Sequence, residues 1–516
     1  MVRAVYGGWV AIVVGGRSIG KWRLVAAVLV LSAALGATSC AGRARPAVPA
    51  DPHLMARAEP LTPGVSVLAG APDALAVGLA RALFSSAPVV VVADASRPAD
   101  VSAAVTWASR AHAPLLLASG ARVGAETRAE IGSLHPRAVL AVGLSREALR
   151  AQLPRTRVVT RPAALPGTSA LSPRGRLVVL VHRRSAAAVT AAVTSAQAAG
   201  AQVITVHGYD PRADPAAITA LSAARPRRVI ALGAGFGPVG LLQERLAVAE
   251  TGVQLPGSGQ VLFPMRRLVA LYGHPGTPAL GALGQQDLPA SIARARKLAA
   301  RYQRLSSVPV IPAFEIIATV AEGSPGSDGS YSYQTPLGLL RPWVKRASAA
   351  GMYVVLDLQA GRASLLTQAK KYEAFLERPN VGLALDPEWK LQPGQRPLRQ
   401  IGSVSAGEIN SVSNWLASLT AQHHLPQKLL VLHQFRLSML GNEDSIDTRH
   451  DELAIVIHMD GQGTPADKQQ TWQAVTRAAP RHVFFGWKNF YTKDHPMLPP
   501  RQTMGRIPRP VMISYQ

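Results

Sequence analysis

From about residue 65 the chain alternates short apolar runs with Ala-rich stretches in which apolar positions recur every three or four residues. The runs at 89–92, 115–117, 138–142, 177–181, 203–206 and 229–232 contain almost no polar residue. Uninterrupted apolar runs of this length, separated by helical periodicity, predict strands buried on both faces in parallel βα units. After about Pro264 the strand ends change character. Runs at 268–274, 308–315, 352–357, 381–388, 429–434, 453–460, 482–488 and 511–516 each finish in a polar or aromatic cluster. Helical stretches over 288–305, 339–350 and 406–422 lie between them. Eight such runs predict a (β/α)8 barrel over 263–516, with its chemistry at the C-terminal ends of the strands. The expected fold class is therefore α/β throughout.

The N-terminal half repeats itself. Leu134-His-Pro-Arg-Ala-Val-Leu-Ala-Val-Gly143 parallels Ala224-Arg-Pro-Arg-Arg-Val-Ile-Ala-Leu-Gly233. This self-similarity predicts two Rossmann-like βα modules, over 61–165 and 166–262. In the first copy, Val89-Val-Val-Val-Ala-Asp-Ala-Ser-Arg-Pro-Ala-Asp100 is followed by Ala113-Pro-Leu-Leu-Leu-Ala-Ser119 and by the strand ending at Gly143. The succession resembles the type 2 cell-wall-binding repeat of Gram-positive surface proteins. That family usually carries three copies and a Gly-Gly pair, where this chain has two copies with Gly143-Leu144 and Gly233-Ala234. The resemblance implies a wall polymer as partner and assigns no contact residue. Gly233-Ala-Gly-Phe-Gly237 is not a dinucleotide fingerprint, because Pro238 stands where the third glycine is required.

Composition narrows the classes. With 48% hydrophobic and 16% charged positions over 516 residues, the bulk of the chain is too apolar for disorder. Beyond the N-terminus no apolar run reaches the ~18 residues of a membrane span, which excludes a polytopic membrane protein. The net charge of +25 comes without any basic run interleaved with aromatics, so no nucleic-acid partner is expected. A single cysteine excludes a disulfide framework and a cysteine zinc site.

The position of that cysteine is informative. Residues 1–39 contain no acid, carry Lys21 and Arg23 ahead of an apolar stretch over 24–35, and reach Cys40 through Gly36-Ala-Thr-Ser39. The layout is that of a secretory signal. Ala37-Thr-Ser-Cys40 resembles a bacterial lipobox, with Ala37 in the place of the usual Leu. The resemblance implies lipidation of Cys40 (a palmitate-type acyl anchor), an Ala/Pro/Arg tether over 40–60, and a home on the outer face of the cytoplasmic membrane. Loss of Arg3, Arg17, Lys21 and Arg23 with the signal leaves +21 of the +25, which favours an anionic membrane surface or wall polymer.

The strand-end clusters carry the candidate chemistry. Asp386 and Glu388 are two apart on a strand and so leave it on one face. Like charges held together push one carboxyl up, giving the protonated acid and ionised carboxylate that glycoside hydrolysis needs. Leu385-Asp-Pro-Glu-Trp389 resembles the fourth strand of barrel glycosidases that act on N-acetylhexosamine polymers, the chitinase-like and Chalaropsis-type muramidase families with their Asp-x-Glu. Gly382 and Ala384 replace the earlier aspartates of the chitinase pattern. The resemblance implies Glu388 as general acid and Asp386 as its partner, with Asp357 and Asp460 orienting. Candidate substrate contacts are His274, Glu315, Trp389, His433, Gln434, His458, Trp487, Lys488 and Tyr515, with Trp389, Trp487, Tyr272 and Tyr515 as stacking platforms for sugar rings. The Gly/Ser loop over 322–330 suits a lid or a plain exposed turn.

Competing readings are concrete. Asp386-Pro-Glu388 also suits a helix cap, and each histidine also suits a core position. Metal hydrolysis wants His-x-His on the first barrel strand, where this chain has Tyr272-Gly-His274, so no metal and no cofactor are expected. The functional expectation is a cell-envelope lipoprotein binding wall polysaccharide or peptidoglycan, its barrel a glycoside hydrolase. The alternative is a non-catalytic glycan-binding scaffold.

Overall fold

The computed structural model describes residues 54–186 and 188–516. The expected signal over 1–39, the lipidation site Cys40 and the tether as far as residue 53 lie outside the described residues.

The N-terminal half contributes eight parallel strands in two four-stranded sheets. In chain order these are β1 (Gly64–Leu68), β2 (Val89–Asp94), β3 (Leu115–Ala118), β4 (Ala138–Val142), β5 (Val158–Val159), β6 (Leu177–His182), β7 (Gln202–Val206) and β8 (Arg228–Leu232). One sheet has the order β3-β2-β4-β5 and the other β7-β6-β8-β1. The repeated sequence segments thus form β4 and β8, each beside a fully buried central strand, β2 or β6. The fourth place is filled by β5 in one sheet and in the other by β1, the first labelled strand of the chain, which pairs with β8 from Gly64↔Arg228 to Leu68↔Leu232. The second sheet therefore closes only after the chain has passed through the first. Apolar side chains of both sheets share one core, and Ser195 links them where its Oγ accepts from the Leu115 amide at 2.9 Å.

The second half is a closed barrel of eight parallel strands. These are β9 (Arg267–Gly273), β10 (Val310–Ala321), β11 (Tyr353–Leu358), β12 (Val381–Leu385), β13 (Lys428–Gln434), β14 (Leu453–Met459), β15 (Phe484–Asn489) and β16 (Met512–Tyr515). Each pairs with the next, and β16 returns to β9. A short strand, Ser332–Gln334, folds back antiparallel on the end of β10, so the 322–330 loop is the turn of a hairpin. Helices such as Leu288–Gln303, Leu337–Ala349 and Ala406–Gln422 follow the strands, within a residue or two of the expected stretches.

Alternation along the strands sorts their side chains. Leu268, Ala270, Ala313, Val355, Ala384, Val431, Val456 and Met512 cluster inside the barrel, while Leu271, Phe314, Leu356, Leu385, Leu432 and Ile513 pack outward under the helices. Space inside is short. A Cβ on Gly486 would stand 1.9 Å from Nδ1 of His458, so only glycine admits that ring.

The barrel and the N-terminal sheets are joined by partly buried ion pairs. Asp451 accepts from both Arg245 (Nη2 at 2.7 Å) and Arg212 (Nη2 at 2.7 Å), and Arg212 also holds Asp210. Among the described residues no helix is long and apolar enough to cross a membrane.

Candidate active site

Above the apolar interior, the inward positions of the strands turn polar. They are Tyr272 on β9, Glu315 on β10, Asp357 on β11, His433 on β13, His458 on β14, and Lys488 and Ser514 on β15 and β16. All of these are buried. His433 is the hub: Nε2 donates to Glu315 Oε1 at 3.0 Å and Nδ1 to Asp460 Oδ2 at 3.1 Å. A ring with a carboxylate on each nitrogen must carry both protons, so it is an imidazolium. Burial opposes its charge, yet the bonds to Asp460 and Glu315 raise it well above the ordinary histidine value. His458, its ring 5.3 Å away, behaves oppositely. Burial drives it down to about 3, and its Nε2 lies 2.6 Å from Ser514 Oγ. Two neighbouring histidines thus hold opposite charge states.

The acids divide in the same way. Burial pushes Asp460 and Glu315 up, but the imidazolium of His433 outweighs it and both end below their ordinary values. Asp357 accepts from the Tyr272 hydroxyl at 2.8 Å, and burial raises it to about 6. Asp386, which caps the 3-10 turn Pro387–Trp389 by accepting from the Glu388 amide at 3.3 Å, is raised well above the carboxylate range by burial and then by Asp357. Glu388 is raised as well, first by burial and next by the charge of Asp460. The mouth therefore holds carboxyls pushed up by burial beside carboxylates pulled down by a cation, the pairing from which acid–base roles arise.

Asp386, Glu388, Trp389, Asp460 and Lys488 line one cavity of about 350 Å³ at the strand ends. Asp357 lies at its base behind Tyr272, whose hydroxyl also accepts from Gln359 Nε2 at 3.3 Å. Glu315, His433 and His458 sit one layer deeper, fully buried. His274 turns aside to Thr335, 3.1 Å from Nε2.

Three of the candidate contacts face away from the cavity. Gln434 is buried against Glu443, its Nε2 donating at 3.1 Å. Trp487 packs on Trp472 with ring centroids 5.4 Å apart and donates to Asn489. Tyr515 bonds to the Tyr302 hydroxyl at 2.5 Å on the outer face of β16. Each is one residue off the inward positions, and alternation sends it to the helix layer. Of the expected aromatic platforms, Trp389 and Tyr272 line the cavity.

The lining that residue chemistry alone did not pick out obeys the same alternation. Gln359, Phe435, Gln462, Phe490 and Gln516 all line the cavity. Each lies two residues beyond an inward polar residue: Asp357, His433, Asp460, Lys488 and Ser514. Glu388 stands in the same relation to Asp386. The period-2 pattern thus persists past the last strand residue.

A cavity of about 420 Å³ lies elsewhere, between the helices Val239–Glu250 and Ala406–Gln422. Its aspartate, Asp451, is neutralised by Arg212 and Arg245. Among the described residues no group of three or more His, Cys, Asp or Glu is placed to hold a metal ion.

No protein-family model matches the chain, and no curated protein does. Among solved structures, Cwp6 from Clostridium difficile aligns at 15% identity and a TM-score of 0.19, covering 73% of this chain and 63% of that one.

Proposed function

We propose that the protein is a cell-envelope lipoprotein, anchored through Cys40, whose barrel hydrolyses a glycosidic bond in wall glycan. The two N-terminal sheets would hold the polymer while the 263–516 barrel acts on it. The carrying observation is that Glu388, pushed up, and Asp460, held ionised by His433, line the same cavity. Glu388 is half-buried and reaches the cavity with a proton to give to the departing glycosidic oxygen. Asp460 sets a negative charge against the positive charge that grows on the sugar ring. Asp386, pushed well above the carboxylate range, is placed to donate a hydrogen bond to the sugar, and Trp389 offers an aromatic face for its apolar side. Lipidation rests on the lipobox-like Ala37-Thr-Ser-Cys40, and wall binding on the repeat-like segments ending at Gly143 and Gly233.

Release of reducing ends from purified peptidoglycan tests the barrel's part. The wild type releases them, and Glu388→Gln and Asp460→Asn do not. Binding without release by the wild type would leave a glycan-binding scaffold instead. Labelling with a palmitate analogue that is lost in Cys40→Ala tests the anchor.

A further inference from the structure

Four lysines of the described residues are buried: Lys390, Lys428, Lys468 and Lys488. Three have acceptors. Lys390 Nζ reaches Ala363 O at 2.6 Å and Glu408 at 3.2 Å. Lys428 bonds to the carbonyls of Arg378 and Val381, and Lys468 to Asp494 at 2.6 Å and to the Lys488 carbonyl. Lys488 differs. It is 3% exposed, its Nζ lies 3.4 Å from the centroid of the Tyr272 ring, and among the described residues no hydrogen bond or ion pair reaches that nitrogen. An ammonium that opens onto a cavity with no protein acceptor keeps its N–H donors free for a ligand, and an aromatic face occupies one side of it. This nitrogen lies in the wall of the catalytic cavity, beside Glu388 and Asp460.

Resting on the glycan-hydrolase reading above, we propose that Lys488 binds a carboxylate carried by the sugar substrate, with Lys493 at the cavity rim supporting it, so that the preferred substrate is an acidic glycan. A carboxylate fits better than a phosphate. The lining supplies two lysines and no arginine fork, and a dianion would sit against the ionised Asp460.

Binding of paired probes to the full-length, detergent-solubilised protein, followed by calorimetry, tests the assignment. The probes are the N-acetylglucosamine–N-acetylmuramic acid disaccharide and a glucuronate disaccharide, each beside its neutral methyl ester. They separate a lactyl carboxylate from a ring carboxylate. The wild type binds at least one acid about ten-fold more tightly than its ester, the size of one charge-assisted hydrogen bond. In Lys488→Met, which keeps the apolar stem over Tyr272, acid and ester bind alike at the wild-type ester affinity. Lys488→Arg retains the preference, and Lys493→Gln, a surface change that leaves the fold intact, weakens it. Equal binding of acid and ester by the wild type, or an undiminished preference in Lys488→Met, overturns the assignment while the glycan reading stands. Failure of every acid and ester to bind overturns both.

Discussion

Asp214 and Asp386 are Asp-Pro caps with almost the same backbone, one in each half of the chain. Each precedes a proline and caps the helical segment that starts there, the helix Pro215–Ala224 after Asp214 and the 3-10 turn Pro387–Trp389 after Asp386, and their backbones nearly coincide, at φ −113°, ψ 107° and φ −107°, ψ 90°. Their chemistry is opposite. Asp214, in the N-terminal half, is pushed up by burial but accepts from His207 Nδ1 at 2.6 Å and from the amides of His207, Ala216 and Ala217, and it ends below the ordinary aspartate value. Asp386, at the barrel mouth, has one amide at 3.3 Å and acidic neighbours in Asp357, Asp460 and Glu388, and it is raised well above that value. The Asp-Pro dipeptide specifies a cap in both places. Whether the cap is only structural or also chemical depends on how many donors fill its lone pairs, and the surrounding fold sets that number.

The contrast can be broken most forcefully at the barrel's hub. His433→Ala leaves Glu315 and Asp460 buried without their cation, a change worth about 3–5 kcal/mol of stability, read by urea unfolding. The raised value of His433 also fixes a pH signature. Its contribution is complete below the ordinary histidine value of 6.5 and is lost as pH climbs through the raised one. Glu315 and Asp460, both lowered, contribute above their ordinary 4.5 and 3.8 and lose that contribution as pH falls. The penalty of the substitution is therefore largest in mildly acidic to neutral solution. A wild-type and mutant difference that does not vary with pH would contradict the imidazolium bridge.

Glu388→Gln removes the donated proton while leaving volume and packing alone. Hydrolysis falls by about 10²–10⁴-fold and stability changes by no more than about 0.5 kcal/mol, measured by reducing-end release and thermal unfolding. The paired aspartates follow. At pH 7, Asp214→Asn loses about 1–2 kcal/mol, because the ionised carboxylate gives up its charge-assisted bonds. Asp386→Asn instead gains stability, since a carboxyl raised in the folded state opposes folding once the unfolded chain ionises. That gain vanishes as pH drops below 3.8. Destabilisation of both variants by similar amounts would erase the distinction. The smallest effect falls on the pH profile. Lys488 pulls Glu388 down, so Lys488→Met moves the alkaline limb of hydrolysis upward.

The barrel was legible because its signal is periodic. Eight apolar runs ending in polar clusters became eight strands, and alternation along them decides which polar residue faces in. Choosing both members of a neighbouring pair, His433 with Gln434 or Trp487 with Lys488, overlooks that alternation, which admits one of the two. Continuing it by two residues would have found Gln359, Phe435, Gln462, Phe490 and Gln516. That 134–143 and 224–233 would form strands in like places was plain. The placing of Gly64–Leu68 in the far sheet was not, because parallel pairing over some 160 residues leaves no mark on local pattern. The charge states were only half legible. Adjacent acids forecast that one carboxyl would rise, while the imidazolium that keeps Asp460 ionised arises from contacts across 27 and 118 residues.

Carboxyl ¹³C titration by NMR, with Asp214→Asn, Asp386→Asn, Glu388→Gln and Asp460→Asn used for assignment, reads the central claim directly. Glu388 should titrate above 4.5 and Asp386 well above 3.8, with Asp460 and Asp214 below 3.8. Titration of Glu388 and Asp460 together, near the ordinary carboxylate values, would contradict it.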